Sequence, residues 1–279
     1  MQTTLRTAFI TDLLLPSPHS LPTLNPASIS QLGYDTALAL LHDSESFIRS
    51  NPLVTNVRPV TSPSDSKHYI DVPTFCQEFN LSPTGDPSRG ISDQWTQYEI
   101  TDKLNWGLGS SDLIYTTAMR RIPGGFESIT SPGSGVRIYG RFEILRPSEL
   151  GRLATTSHME QGATPGGAEG GPDSTHSHQQ QQQQQQKQHP NAVPAGWDTH
   201  PDADGVVHFI EHNETKCNAL LGVYIKATNT KSHQAMHENF KRRWGENIKR
   251  VLAAEVRVRD AGARSGPGAG AGAGVEQGR

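Results

Sequence analysis

The spacing of apolar residues along the chain switches between a period of two and a period near 3.6, and the switches mark its elements. Leu5 to Leu15 reads as a first strand, closed by Pro16 and Pro18, and the proline- and serine-rich Ser17 to Leu32 reads as a loop. From Tyr34 the period changes. Tyr34, Ala37, Leu38 and Leu41 recur at three- and four-residue spacing, which predicts a helix with one buried face. His42-Asp43 interrupts the pattern, and Asp43 is a good N-cap for a second short helix with Phe47 and Ile48 on its apolar edge. Asn51-Pro52 ends that helix, because the residue before a proline avoids the helical region.

A run of strands follows. Leu53 to Val60 predicts the second strand. Ser62 to Ser92 carries Pro63, Pro73, Pro83 and Pro87 and reads as an inserted loop with one short strand at His68 to Val72. In Gln94 to Leu104, Thr96, Tyr98, Ile100 and Leu104 share one face, while Gln97, Glu99, Thr101 and Lys103 share the other. Leu113 to Ile122 alternates in the same way and stops at Pro123-Gly124-Gly125. Phe126 to Thr130 is a short strand, and Val136 to Leu145 puts Val136, Ile138, Phe142 and Ile144 on one face. Short loops between consecutive strands predict an antiparallel meander. Val206 resumes a strand to about Cys217, with Val206, His208 and Ile210 alternating with Val207, Phe209 and Glu211. Leu220 to Thr228 fits both a strand and a helix. Ser232 to Leu252 predicts a helix, because Met236, Phe240, Trp244 and Ile248 recur every four residues.

Composition changes this picture in two places. Only 33% of the 279 residues are hydrophobic, and two segments account for the low figure. Pro147 to Asp204 holds Gly166-Gly167, Gly170-Gly171 and a glutamine run from Gln179 to Gln186, and reads as a disordered insertion (147–204). Residues 256–279 read as a flexible Gly/Ala-rich tail. What remains is one domain, residues 5–252. The formal charge of −3 gives no reason to expect nucleic acid. Lys241, Arg242, Arg243, Lys249, Arg250, Arg257 and Arg259 are basic, and read as the solvated face of a helix. Cys76 and Cys217 show no metal spacing and suit a reducing compartment, which implies a cytoplasmic or nuclear location. The N-terminus lacks a signal-peptide pattern. No apolar run approaches the ~20 residues that would span a bilayer.

Candidate chemistry is sparse. Gly133-Ser134-Gly135 lies in a turn between strands and lacks the strand-to-helix elbow of a hydrolase serine. Gly107-Leu108-Gly109 is too short to cradle phosphate, and no cofactor motif appears. His208 and His212 point the same way on one strand, while His42 and His233 lie elsewhere. His176, His178 and His189 belong to the low-complexity segment. No metal site is assigned. Asp102 with Lys103, or Glu99 with a histidine, could act as acid and base from a pocket wall, but Glu99 and Asp102 fall on opposite faces. No catalytic residue is assigned.

The element order resembles the helix-grip fold of the START/Bet v 1/polyketide-cyclase superfamily (SRPBCC). Ala39 to Val54 (ALLHDSESFIRSNPLV), Tyr98 to Leu104 (YEITDKL) and Lys216 to Thr228 (KCNALLGVYIKAT) resemble, more narrowly, a fungal family of unknown function, domain 7053. The resemblance implies an α+β fold, with a curved antiparallel sheet wrapped around a long C-terminal helix and two short helices after the first strand. It also implies helix from about Ala219. A sheet wrapped on a helix leaves a space that Leu40, Phe47, Tyr98, Ile100 and Tyr115 would line, together with Tyr139, Phe142, Phe209, Tyr224 and Phe240. Aromatic groups with polar tips suit a pocket for a hydrophobic small molecule, lipid or polyketide-like. Two other readings stand beside it. One is a cyclase- or aromatase-like enzyme of fungal secondary metabolism. The other is an interaction module acting through the insertion and the basic C-terminus.

Overall fold

Alternation of apolar and polar residues produces seven strands in one curved antiparallel sheet. They are β1 (Gln2–Leu14), β2 (Val54–Val60), β3 (Thr96–Asn105), β4 (Ser110–Ile122), β5 (Gly125–Gly133), β6 (Val136–Leu145) and β7 (Val206–Asn218). The order is β1-β7-β6-β5-β4-β3-β2, so β2 to β7 form a meander and β1 closes its far edge. β1 pairs with β7 along its whole length, from Gln2 opposite Asn218 to Leu14 opposite Val206. This computed structural model describes residues 2–17, 19, 21–105, 109–150 and 205–264. Residues 147–150, at the start of the expected insertion, are instead helical, with Leu150 buried; the rest of the disorder expected for the insertion and for the end of the tail falls on residues outside those described.

The helices that accompany the sheet among the described residues include α1 (Pro26–His42), α2 (Ser44–Ile48), α3 (Val72–Glu78) and the last, α4 (Ala219–Arg264). Three of them differ from the sequence reading, two for the same reason. Pro26 and Pro73 sit in the first turns of α1 and α3, and Pro63 and Pro87 open two short 3-10 turns. A proline in a first turn loses no hydrogen bond, because that N–H has no partner inside the helix anyway. Prolines that looked like breakers are therefore starts. Asn25 caps α1 by accepting from the Ser28 N–H at 2.7 Å, so the helix begins inside the segment read as loop. Residues 68–72 form no strand. Ile70 is instead clamped by the Gln97 amide, which accepts from its N–H at 3.1 Å and donates to its carbonyl at 2.9 Å. α4 covers the ambiguous 220–228 stretch as helix. It also continues to Arg264, past the expected start of the tail at 256. The four-residue series simply extends, with Leu252 buried and Val256 packed on the same core.

The Asp43 corner forms as read. Its carboxylate accepts from the Ser46 N–H at 3.2 Å, starting α2 directly after α1. α4 is tied to both helices: Trp244 Nε1 donates to the Gly33 carbonyl at 3.1 Å, and Asn239 donates to the Ser50 carbonyl at 2.9 Å. Gly33 packs closely there: a Cβ would sit 2.2 Å from Leu15 Cδ2, so Leu15 would have to shift. α1, α2 and α4 cover the front of the sheet. Phe47 of α2 enters an aromatic cluster, with ring centroids 4.9 Å from Phe126 and 5.2 Å from Phe142, and Phe209 stacks on Phe240 at 4.3 Å. Each such burial stabilises the fold by roughly 1.5–3 kcal/mol.

The back of the sheet has its own core. Ala118 and Ile129 pack there against Ile70, Phe75 and Cys76 of the 62–92 segment, with Trp95, Phe79 and Tyr139 at the margin. The inserted loop is thus a cover that hides one sheet face from water.

Candidate functional site

A cavity of about 340 Å³ lies between the front of the sheet, α2 and α4. Parity along the strands chooses its walls. Ile100, Asp102 and Leu104 of β3, Leu113, Tyr115, Thr117 and Met119 of β4, and Phe126, Ser128 and Thr130 of β5 all face it. Val136, Ile138 and Phe142 of β6 continue the wall, and Asn213, Ser232, His233 and Met236 close it from β7 and α4. The lining is mostly apolar. The turn between β5 and β6, where Ser134 is exposed, brings the cavity to the surface.

Four of the ten residues expected to line a pocket do so: Phe47, Ile100, Tyr115 and Phe142. Phe209 and Phe240 are packed in the front core, which Leu40 and Tyr98 also border. Tyr139 is on the other side of the sheet. Its hydroxyl donates to Glu127 at 3.1 Å, and its ring lies near Phe79. The physical reason is parity: Ile138 and Phe142 face front, so Tyr139 faces back. Tyr224 lies in α4, and its side chain is outside the described residues.

Two polar clusters, one in the wall and one behind it, were not assigned as pairs from the sequence. The first is Asp102 with Tyr115. Asp102 pairs with Leu113, and Tyr115, two residues on, is its diagonal neighbour on the front face. The phenol donates to Asp102 Oδ2 at 2.9 Å. Asp102 is only 6% exposed, and its Oδ1 has no hydrogen-bond partner among the described residues. Burial pushes the Asp102 carboxyl above its ordinary range, and the Tyr115 hydrogen bond opposes that only in part. The Tyr115 hydroxyl is pushed well up by desolvation and by the neighbouring carboxylate.

The second is Glu211, which is fully buried beside Phe209 on the front face of β7. His237 Nε2 lies 2.9 Å from one carboxylate oxygen, His233 Nδ1 pairs with the other, and the Asn213 amide donates to it as well. Thr11 Oγ1 meets His237 Nδ1 at 2.8 Å, which fits a ring with its proton on Nε2. Burial alone would raise the Glu211 pKa, but His233 and His237 hold it down at about 2. In His233, burial opposes the charged form, yet the Glu211 contact prevails and raises the pKa. Of this cluster, His233 and Asn213 reach the cavity.

The other histidines serve the fold. His42 Nε2 bonds the Gly125 carbonyl at 2.9 Å, and His208 pairs with Asp12 at 2.9 Å. His212 is half-buried on the back, where desolvation lowers its pKa. Among the described residues, no set of three His, Cys, Asp or Glu side chains is arranged to hold a metal ion. The nitrogens of His233 and His237 nearest a carboxylate already face Glu211. No described helix is long and apolar enough to cross a membrane.

The front wall from α1 to β6 coincides with a family match. The model of a domain of unknown function (DUF7053) matches residues 23–172, more than half of the chain, and the chain belongs to that family. No curated protein matches it.

Proposed function

We propose that this member of the DUF7053 family is a helix-grip domain that holds a hydrophobic small molecule, lipid or polyketide-like, between its sheet and α4. One observation carries the reading: a mostly apolar cavity of about 340 Å³ whose wall also carries Asp102 with Tyr115 and, towards β7 and α4, Asn213 and His233. That size and lining are those of small-molecule sites, typically ~300–1,000 Å³ and mostly apolar. The helix-grip assignment is supported by the strand order and by a long last helix laid across the front face.

The test is titration with a neutral, environment-sensitive naphthylamine dye, alongside native mass spectrometry of the purified chain. Saturable binding at one dye per chain is expected. Two cavity-filling variants, Leu113→Trp and Ser128→Phe, should abolish it while leaving the thermal transition intact. Undiminished binding in both folded variants would sink the reading.

A second reading, an acid–base enzyme of the cyclase kind, is favoured by the presence of Asp102 and His233 in the same wall. One carboxyl with a raised pKa and one imidazole held towards its charged form are the materials of proton transfer. Mass spectra of molecules retained by the native chain and by Asp102→Asn would differ if turnover occurs. Identical retained molecules would count against turnover.

A further inference from the structure

An ionised carboxylate taken out of water needs donors for both of its oxygens and a positive charge nearby. Asp102 has one donor, the Tyr115 hydroxyl, on Oδ2. Oδ1 has none among the described residues, although the residue is 94% buried by its 6% exposure. Among the described residues, no cation is paired with it. The basic residues closest in sequence or in the sheet are used elsewhere or face away. Arg58 is paired with Glu99 at 2.7 Å on the back, and Lys103, by parity, points to that side too. Arg49 is engaged by Glu45 at 2.8 Å. His233, on α4, has its charge answered by Glu211.

The contrast with Glu211 is chemical. That carboxylate is equally removed from water and has three nitrogen partners. The chain can therefore satisfy a buried acid completely when the acid is structural. At Asp102, a residue of the cavity wall, it leaves one buried oxygen without a partner among the described residues. A group with both an N–H donor and a positive charge would complete the shell. In neutral water an alkyl amine is such a group, with a pKa near that of lysine, ~10.4.

We propose that the occupant of the cavity is an apolar molecule carrying one protonated amine, and that Asp102 is its counter-ion. The inference rests on the cavity reading above and adds the class of ligand. Ser134 at the exposed turn marks the way in, and the apolar body lies against Phe47, Met119 and Phe142.

The experiment is displacement of the neutral dye by decylamine and by decanol, which share a chain and differ in the head group. Decylamine should displace the dye at least about tenfold more tightly than decanol from the native chain. In Asp102→Asn, which keeps the shape and removes the charge, the two should become equal, with decanol unchanged. Tyr115→Phe is the second variant: it keeps the carboxylate and strips its internal donor, so the amine preference should persist. An amine no tighter than the alcohol in the native chain, or a preference that survives in Asp102→Asn, would overturn the assignment while leaving the cavity reading in place. Failure of the dye and both compounds to bind the native chain overturns both.

Discussion

Two buried carboxylates on opposite faces of the sheet, Glu127 and Asp102, are handled in different ways. On the back, Glu127 is saturated. Arg120 Nε reaches it at 2.8 Å, the Tyr139 hydroxyl at 3.1 Å and Arg141 at 3.5 Å. Arg120 also donates to the carbonyls of Ser82 and Thr84, and stacks over Trp95, so the network fastens the 62–92 cover to β4. Arg141 closes the circuit by gripping Glu143 with two bonds of 2.8 Å. On the front, Asp102 has one bond and lines the cavity. A complete network holds two layers together. An incomplete one beside a cavity is the mark of a site where something else is expected to supply the missing partner.

The comparison breaks first at its structural pole. Glu127→Ala would leave Arg120 buried without an anion and Tyr139 without an acceptor. Removing one partner of a buried pair costs ~3–5 kcal/mol, and the upper end is expected here because two partners are stranded at once while Arg141 keeps Glu143. Urea unfolding should show that loss, while dye binding by the remaining folded protein should be unchanged. A loss under ~1 kcal/mol would mean that the back network does not hold the cover in place.

Glu211 tests whether a complete network on the front behaves like the one on the back. Glu211→Gln keeps the size of the side chain and one acceptor for His237, so about 3 kcal/mol is expected. The dependence on pH identifies the charge. Glu211 has a lowered pKa, so its contribution is present above the ordinary carboxylate value of 4.5 and is lost as pH falls towards about 2. His233 has a raised pKa, so its contribution is present below 6.5 and is lost as pH climbs through the raised value. The difference in stability between native chain and variant should therefore be greatest from pH ~4.5 to ~6.5 and shrink on both sides. A difference that stays flat from pH 3 to 9 would mean that the cluster carries no net charge interaction.

Much of this architecture was legible in the alternation of residues, and the site was legible only in part. Strand parity fixed the two faces, and the four-residue series Met236, Phe240, Trp244 and Ile248 located α4. What escaped was what depends on which side of an element a polar residue falls. Asp102 shares the parity of Tyr98, Ile100 and Leu104, and Glu211 shares that of Phe209. A charged residue in register with an apolar face is the signal that was available, and it is stronger than any motif in the chain. The pair His233 and His237, four apart on one helix, pointed to the same spot. The prolines misled because their meaning depends on whether a helix follows, and the caps Asn25 and Asp86 lie just before two of them. The back cover was invisible because its few apolar residues, Ile70, Phe75 and Cys76, form a core only once the sheet is in place.

The smallest effect expected is also the one that best separates the two faces, because its sign is reversed. Asp102 has a raised pKa with no counter-charge nearby, so its ionised form works against folding. The penalty is full at pH values above its raised pKa. It declines as pH falls through that value and vanishes below the ordinary 3.8 of the unfolded chain. Asp102→Asn should therefore stabilise the empty protein at neutral pH by roughly 0.5–2 kcal/mol, the usual return on removing a group kept for function. Tyr115 keeps an acceptor in the amide oxygen, so the gain is not offset by a lost bond. Thermal unfolding of both chains at pH 7.5 and pH 4 should show a higher transition for the variant at the first pH and a smaller gap at the second. Adding decylamine should reverse the order at pH 7.5, since only the native chain gains from it. A variant less stable than the native chain without any ligand would place Asp102 with Glu127, among the carboxylates that hold the fold together.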